Sequence, residues 1–326
     1  MLIIGVAGTT LSDEEKAWLR APNVSGVILF ARNTGSRDEV IALVEAIREA
    51  GGEDMLVCVD QEGGRVQRLR EGFTRLPPLS ALGAVYDRDP AEAVRLAEEH
   101  AWVMASELRA TGIDFSFAPV LDLARGSAAI GNRAFHADPA VVGELGQAYV
   151  RGMHLAGMAA VLKHFPGHGH ASGDSHQGGV VTPPLADLQG DDLIPYQTLT
   201  THAPVAVMVG HMQVPGLTGD DPASLSTAAY GLLRSGEYGG PGFGGLVFTD
   251  DLSSMGAINE RYGVADAVLK SLQAGADVAL WVTTKEVPAV LDRLEKAVAA
   301  GELDMAKVDE SVLRVAAVKG PHPRCG

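Results

Sequence analysis

Eight short apolar runs recur along the chain, and none of them alternates with polar residues. They lie at about Leu2 to Ala7, Gly26 to Phe30, Met55 to Asp60, Asp114 to Val120, Ala159 to His164, Val205 to Gly210, Gly245 to Thr249 and Asp277 to Val282. A run that is apolar at almost every position suits a strand buried on both faces, as in parallel sheets covered by helices. Between the runs lie segments with helical spacing of apolar residues: Ser36 to Ala50, Pro90 to Ala110, Pro139 to Leu155 and Val264 to Gln273. Several of them close at glycine, where a left-handed C-cap fits. Strict alternation of strand and helix implies parallel strands joined by right-handed crossovers, and eight such units can close into a barrel without edges. The expected fold is α/β, a single (β/α)8 TIM-type barrel over residues 1–326 with a loose tail from about 320. A doubly wound open sheet is the alternative. No fixed-period repeat, low-complexity tract or long Pro/Gly/Ser linker divides the chain.

The polar residues favour the barrel. Asp60, Gln61 and Glu62 follow the third run, Asp122 the fourth, and Lys163 and His164 close the fifth; His211 follows the sixth, Asp250 and Asp251 the seventh, and Trp281 lies near the end of the eighth. In a barrel these carboxyl ends converge on one mouth, where barrel enzymes hold their active sites. An open sheet would spread them along a crevice.

Composition narrows the function. A formal charge of −15 and a pI near 5.0 exclude a polyanion as the natural partner, because nucleic-acid binding needs clustered Lys and Arg. The two cysteines, Cys58 in an apolar run and Cys325 at the C-terminal end, cannot build a disulfide framework or a thiolate metal site. The N-terminal Met-Leu-Ile-Ile-Gly-Val-Ala-Gly lacks a basic n-region and meets Asp13, Glu14, Glu15 and Lys16 soon after, so it reads as a strand rather than a signal peptide. No apolar run approaches the roughly 20 residues of a membrane helix. These features lead to the expectation of a soluble, cytoplasmic monomer with a small-molecule partner, contacting neither nucleic acid nor membrane.

Three constellations carry chemistry. The segment from Lys163 to His170, followed by Gly173-Asp174-Ser175-His176, holds four of the ten histidines, and its Gly and Pro content forces an irregular loop over the mouth. His168 and His170 are explained by local backbone partners. His176 is different: Asp174 can reach its Nδ1 and leave Nε2 for proton transfer. Glycines at 167, 169 and 173 would let this loop close over a docked substrate. The second constellation is the strand end Thr249-Asp250-Asp251-Leu252. Asp251 suits a helix N-cap, whereas Asp250 suits it less well and, at a barrel mouth, can attack an anomeric carbon. In the third, Asp60 to Arg68, the acceptor pair of Asp60 suits adjacent sugar hydroxyls and two glycines let backbone approach a ligand. Arg133, Lys163 and His164 offer further donors, although each alone is more often a surface or supporting residue. The glycine-rich 239–245 precedes a strand instead of joining strand to helix, which excludes a phosphate loop.

Taken together, Asp-Gln-Glu-Gly-Gly-Arg-Val-Gln-Arg at 60–68, Asn-Arg-Ala-Phe at 132–135, Lys-His-Phe-Pro-Gly-His-Gly at 163–169, Asp-Ser-His at 174–176 and Thr-Asp-Asp-Leu-Ser at 249–253 closely resemble bacterial β-N-acetylglucosaminidases (β-hexosaminidases) of glycoside hydrolase family 3. The resemblance spans nearly the whole chain, in order. It implies a one-domain barrel of the peptidoglycan-recycling type, a retaining exo-hydrolase that removes N-acetylglucosamine from N-acetylglucosaminyl-anhydro-N-acetylmuramic acid and its peptides. It further implies that Asp60, Arg68, Arg133, Lys163 and His164 hold the non-reducing sugar, that His176, paired with Asp174, is the acid/base and that Asp250 is the nucleophile, with no metal or other cofactor. His170 departs from the pattern, standing where relatives usually carry Asp.

Three other readings compete. A metal-dependent amidohydrolase could use His168, His170, Lys163, His211 and Asp250 as ligands, but its His-X-His pair would be expected at the first strand rather than after the fifth. A sugar-binding barrel without catalysis would use the same Asp60 and Arg133. A substrate-assisted hexosaminidase would use the adjacent Asp250 and Asp251 to help the acetamido oxygen attack.

Overall fold

A computed structural model describes residues 1–171, 179–253 and 262–318. Its strands β1 (Leu2–Gly5), β2 (Val24–Leu29), β3 (Leu56–Val59), β4 (Phe115–Ser116), β5 (Ala160–Phe165), β6 (Val205–Val209), β7 (Val247–Thr249) and β8 (Ala279–Leu280) are all paired in parallel. One arc runs β8-β1-β2-β3-β4 and a second β7-β6-β5. Two parallel bridges, Val120↔Lys163 and Phe248↔Val278, join the arcs. Backbone bonds from Leu121 N to Lys163 O (2.7 Å) and from Thr249 N to Val278 O (3.0 Å) complete the ring. The sheet therefore closes as a (β/α)8 barrel, and the open-sheet alternative is excluded.

The unalternating runs follow from the two environments of the sheet. Ile3, Ile28, Leu56, Cys58, Val161, Ala206, Met208, Phe248, Val278 and Leu280 pack together inside the barrel. Their neighbours Leu2, Ile4, Val27, Leu29, Val57, Val59, Val207 and Val247 join the larger cluster shared with the helices. Both faces of each strand are buried, so both sets are apolar; full burial of each large side chain contributes about 1.5–3 kcal/mol. Phe115 and Phe117 meet Phe248 edge-on inside the barrel, with ring centroids 6.0 and 5.4 Å away. Trp281 packs with the helix-facing cluster and is fully buried, so it does not line the mouth as its place near a strand end suggested.

Strand β4 is shorter than the apolar run Asp114 to Val120. Pro119 has no N–H to donate, and Ala118 N turns back to Ser116 O at 2.8 Å, so the regular ladder stops early. The helices match their sequence signals closely: Arg37–Gly51 is capped by Ser36 with Glu39 returning the bond, and Pro90–Arg109 and Pro139–Leu155 start at Asp89 and Asp138 caps with Pro in the first turn. Those last two helices touch backbone to backbone at Gly152, where an added Cβ would lie 2.1 Å from Glu98 O.

The barrel's amino-terminal end is closed by the helix Met305–Val318, whose Val315 enters the interior cluster. Buried Asp277 fastens it, accepting from Ser311 Oγ (2.8 Å), Arg314 Nη1 (3.0 Å), Arg234 Nη2 (2.6 Å) and Val247 N (2.8 Å). No helix among the described residues is long and apolar enough to cross a membrane. The tail expected from about 320 lies outside the described residues.

Candidate active site

At the carboxyl end of β3, Asp60 leads into an antiparallel hairpin of Gln61–Gly63 with Val66–Gln67. The turn needs glycine: Gly63 has φ 104°, and a Cβ there would meet Pro77 O at 2.4 Å. The Gln61 amide locks the hairpin's return, donating to Leu69 O and accepting from Leu69 N, both at 3.0 Å. Asp60 is thus held at the mouth, 3.0 Å from Lys163 Nζ and 3.6 Å from Arg68 Nη2. The Arg68 guanidinium lies over the Phe30 ring, 4.7 Å from its centroid, which fixes its plane.

Lys163 also pairs with Glu62, Nζ to Oε1 at 2.6 Å. Glu62 in turn receives Arg133 on both oxygens, at 2.9 and 2.8 Å. A continuous string of alternating charge runs Arg68–Asp60–Lys163–Glu62–Arg133. Burial would push the Glu62 carboxyl up, but Arg133 and Lys163 outweigh it and hold the group well below the ordinary carboxylate range. Burial would likewise lower Lys163, yet Asp60 and Glu62 keep it above its usual value. The ammonium is therefore a fixed positive charge beside Asp60.

The Lys163–His164 peptide is cis, and the β5–β6 register shifts between Leu162 and Phe165. His164 bonds Asp122 through Nδ1 at 2.6 Å, and its Nε2 lies 4.0 Å from Asp250 Oδ2. Asp250 follows β7 directly. Its Oδ1 accepts from Asp251 N at 2.8 Å, which orients the carboxylate and leaves Oδ2 on the side of His164. Burial pushes Asp250 up, but His164, His211 and the Asp251 N–H outweigh it and bring the pKa down to about 2. An oriented, ionised carboxylate at a barrel mouth is a competent nucleophile.

Asp251 does different work. Its Oδ1 accepts from Ser253 N (2.9 Å), Ser253 Oγ (2.7 Å) and Val282 N (3.2 Å), tying the end of β7 to the end of β8. His211 supports the same turn, with Nε2 donating to Asp251 O at 2.9 Å and Nδ1 accepting from Ser224 Oγ at 2.6 Å. Both ring nitrogens are used and burial lowers its pKa, so His211 braces the turn.

The rings of His168 and His170 bond side chains distant in sequence, not the local backbone groups expected for them. His168 N donates to Asp122 Oδ1 at 2.7 Å and Nδ1 meets Ser127 Oγ at 3.1 Å. His170 is pinned between Asp192 (Nδ1 to Oδ2, 2.7 Å) and Asp191 (Nε2 to Oδ2, 3.4 Å). These three are the group with metal-ligand spacing among the described residues. Both imidazole nitrogens already face carboxylates, and Arg125 reaches Asp191 at 3.1 Å, so the set is explained as an ion-pair cluster.

The sequence model for the glycosyl hydrolase family 3 N-terminal domain matches residues 1–318. The chain belongs to glycosyl hydrolase family 3. This family 3 enzyme is 57% identical over 288 residues to the β-hexosaminidase LpqI of Mycobacterium tuberculosis, covering 87% of the chain and 73% of the relative. It superposes on a solved family 3 glycosyl hydrolase of Mycobacterium smegmatis with a TM-score of 0.87 at 54% identity, covering 98% of this chain and 94% of that one. NagZ of Neisseria gonorrhoeae, solved in complex with N-trifluoroacetyl-D-glucosamine, matches with a TM-score of 0.79 at 32% identity over 98% of both chains. The chain is a glycoside hydrolase, and amidohydrolase chemistry loses its support.

Of the residues singled out from the sequence, Asp60, Arg68, Arg133, Lys163, His164 and Asp250 come together at the family 3 mouth. Arg133 reaches it through Glu62. Asp174 and His176 lie outside the described residues. Sequence reasoning gave no role to Glu62 or Asp122, the two buried carboxylates that hold this ring; their only signal was a charged residue directly after an apolar strand.

Proposed function

We propose that this enzyme is an exo-acting, retaining β-N-acetylglucosaminidase that removes the non-reducing N-acetylglucosamine from cell-wall fragments of the N-acetylglucosaminyl-anhydro-N-acetylmuramic acid type, free or peptide-bearing. The observation that carries this reading is Asp250, held ionised with one oxygen anchored and the other beside His164, next to the Asp60–Lys163 pair. Asp60, Arg68, Lys163 and His164 supply the acceptors and donors for sugar hydroxyls, and Arg133, with Glu62, supports one side of the pocket. The N-trifluoroacetyl-D-glucosamine bound by the Neisseria gonorrhoeae neighbour supports an N-acylated amino sugar as the occupant. We place the activity in a single barrel domain acting as a monomer in the reducing cytoplasm, consistent with free, buried Cys58.

In the proposed reaction Asp250 Oδ2 bonds to the anomeric carbon as the glycosidic C–O bond breaks, and the departing oxygen takes a proton from the His176 imidazolium. Water then attacks the same carbon, giving its proton back to His176 as the bond to Asp250 breaks. Two inversions leave the β configuration. Asp174 is the partner of the His176 Nδ1. The substrate-assisted alternative needs a second carboxylate free to orient the acetamido group. Asp251, the only neighbour in sequence, is buried and bonded to Ser253 and Val282.

A slow 2-deoxy-2-fluoro or 5-fluoro glycosyl donor tests reaction class and nucleophile together. Mass spectrometry should find one sugar on the peptide that contains Asp250. No adduct under turnover conditions, or an α-configured first product by NMR, would overturn the double displacement.

A further inference from the structure

We infer that Asp122 is a positioning residue of the hydrolysis, which orients the imidazole beside the nucleophile. The inference rests on the role proposed above for Asp250. Asp122 follows the β4 segment and is 1% exposed. Its Oδ2 lies 2.6 Å from His164 Nδ1, its Oδ1 accepts from His168 N at 2.7 Å, and His164 N lies 3.3 Å from both oxygens.

An ionised carboxylate only accepts, so the proton between Asp122 and His164 belongs to Nδ1. The remaining nitrogen, Nε2, then has two uses. As imidazolium it points a charged N–H at Asp250 Oδ2, 4.0 Å away; as neutral imidazole it offers a lone pair to a sugar hydroxyl. Removing the carboxylate would free the ring to flip and to take the opposite tautomer. The charged and titratable groups facing this pair are Asp250 from the end of β7, His211 from the end of β6, His168 from the following turn, Lys163 beside His164, and, towards Asp122, Arg133, Asp192 and Tyr196.

The second arm of Asp122 holds the described turn after β5. His168 N is the first amide after the Pro166-Gly167 turn, and Ala171, the last described residue before the Asp174–His176 segment, bonds back to His168 O at 3.2 Å. One buried carboxylate thus ties the His164 ring to the backbone of the turn that follows it.

Asp122→Asn keeps the volume and removes one acceptor, so the side chain can satisfy His168 N or His164 Nδ1–H but not both. Normalised to active sites titrated with the fluoro donor, kcat/KM should fall by about 10- to 100-fold, the range of a lost hydrogen bond to a charged group. The acidic limb of the pH profile should move upward, because the His164 ring that helps hold the Asp250 pKa down loses its fixed orientation. In a His164→Asn background the same substitution should cost distinctly less. Equal losses in both backgrounds with an unmoved acidic limb would make Asp122 a folding residue only and overturn the inference. Asp250→Ala run in parallel separates the two levels: retained turnover there sinks the nucleophile assignment, whereas a dead Asp250→Ala beside a fully active Asp122→Asn sinks this inference alone. Should Asp122→Asn fail to fold, nitrogen-15 NMR of labelled histidines in the wild-type enzyme decides. A proton on His164 Nδ1, shifted far downfield, is expected; a neutral ring protonated on Nε2 would refute it.

Discussion

Arg133 grips Glu62 through two parallel N–H···O bonds of 2.8 and 2.9 Å; the Glu62 side chain is 2% exposed and that of Arg133 14%. The pair is useful because of the third member, Lys163, which Glu62 holds against Asp60. A buried charge without its partner is far more costly than the pair is favourable.

Glu62→Gln should therefore destabilise the fold by about 3–5 kcal/mol, read by chemical denaturation, and raise KM for a GlcNAc glycoside by slackening Lys163 and Arg133. The pH dependence has a definite sign. The folded pKa of Glu62 is depressed below its unfolded value of about 4.3, so its stabilisation is present above that pH and is lost as pH falls below it. Wild type and Glu62→Gln should converge in stability under strongly acidic conditions. An unchanged gap there would remove the ion pair as the cause.

Gly152→Ala tests the packing of the outer layer. A Cβ at 2.1 Å from Glu98 O cannot be accommodated without moving the helices Pro90–Arg109 and Pro139–Leu155 apart. Overpacking of this kind costs about 1–3 kcal/mol. Because the contact lies away from the mouth, kcat/KM per folded molecule should stay at the wild-type value; thermal denaturation and active-site titration together check both halves.

Much of this was legible because burial on both faces writes itself into the strands as continuous apolar runs, and because Ser36, Asp89 and Asp138 announce helix starts that the structure places within a residue. What misled was local. Trp281 sits between Leu280 and Val282, which both face the barrel interior, so period-two alternation turns it outward to the helices. Pro119 ended β4 early. Glu62 and Asp122 were opaque for another reason: their partners are 71 and 42 residues away, and no spacing rule connects Arg133 to Glu62 or His164 to Asp122.

The nucleophile assignment makes a prediction about acid. With a folded pKa of about 2, against an ordinary value of about 3.9, Asp250 stays ionised well below neutral pH. Its contribution to stability is accordingly present above about pH 4 and is lost only as pH falls through its folded value. The rate of labelling by a fluoro donor with an activated leaving group, which needs the nucleophile and little acid assistance, should stay level on its acidic side down to about pH 4. A half-loss of labelling near pH 5 would show a carboxylate titrating in that range and would remove Asp250, as it stands here, from the nucleophilic role.

The acid is the remaining half of the mechanism, and the proposal gives it to Asp174 and His176. Among the described residues at the mouth, Asp60 and Glu62 are committed to cations, Asp122 to His164, and Asp251 to the β7–β8 turn. No carboxylic acid there is left to protonate a leaving group. Imidazole, with an unperturbed pKa of about 6.5, can donate to the departing oxygen near neutral pH and then deprotonate water without the large upward shift a carboxylic acid would need. His176→Ala should slow glycosylation by substrates with poor leaving groups by roughly 10²–10⁴, while activated aryl glycosides suffer much less in that step. Asp174→Ala should lie between that variant and wild type, since it removes the partner and not the proton donor. In the wild type the alkaline limb of kcat/KM for a poor leaving group should report loss of the imidazolium proton, and it should flatten for the activated glycoside. Equal losses for both leaving groups in pre-steady-state measurements on His176→Ala would take His176 out of the acid role.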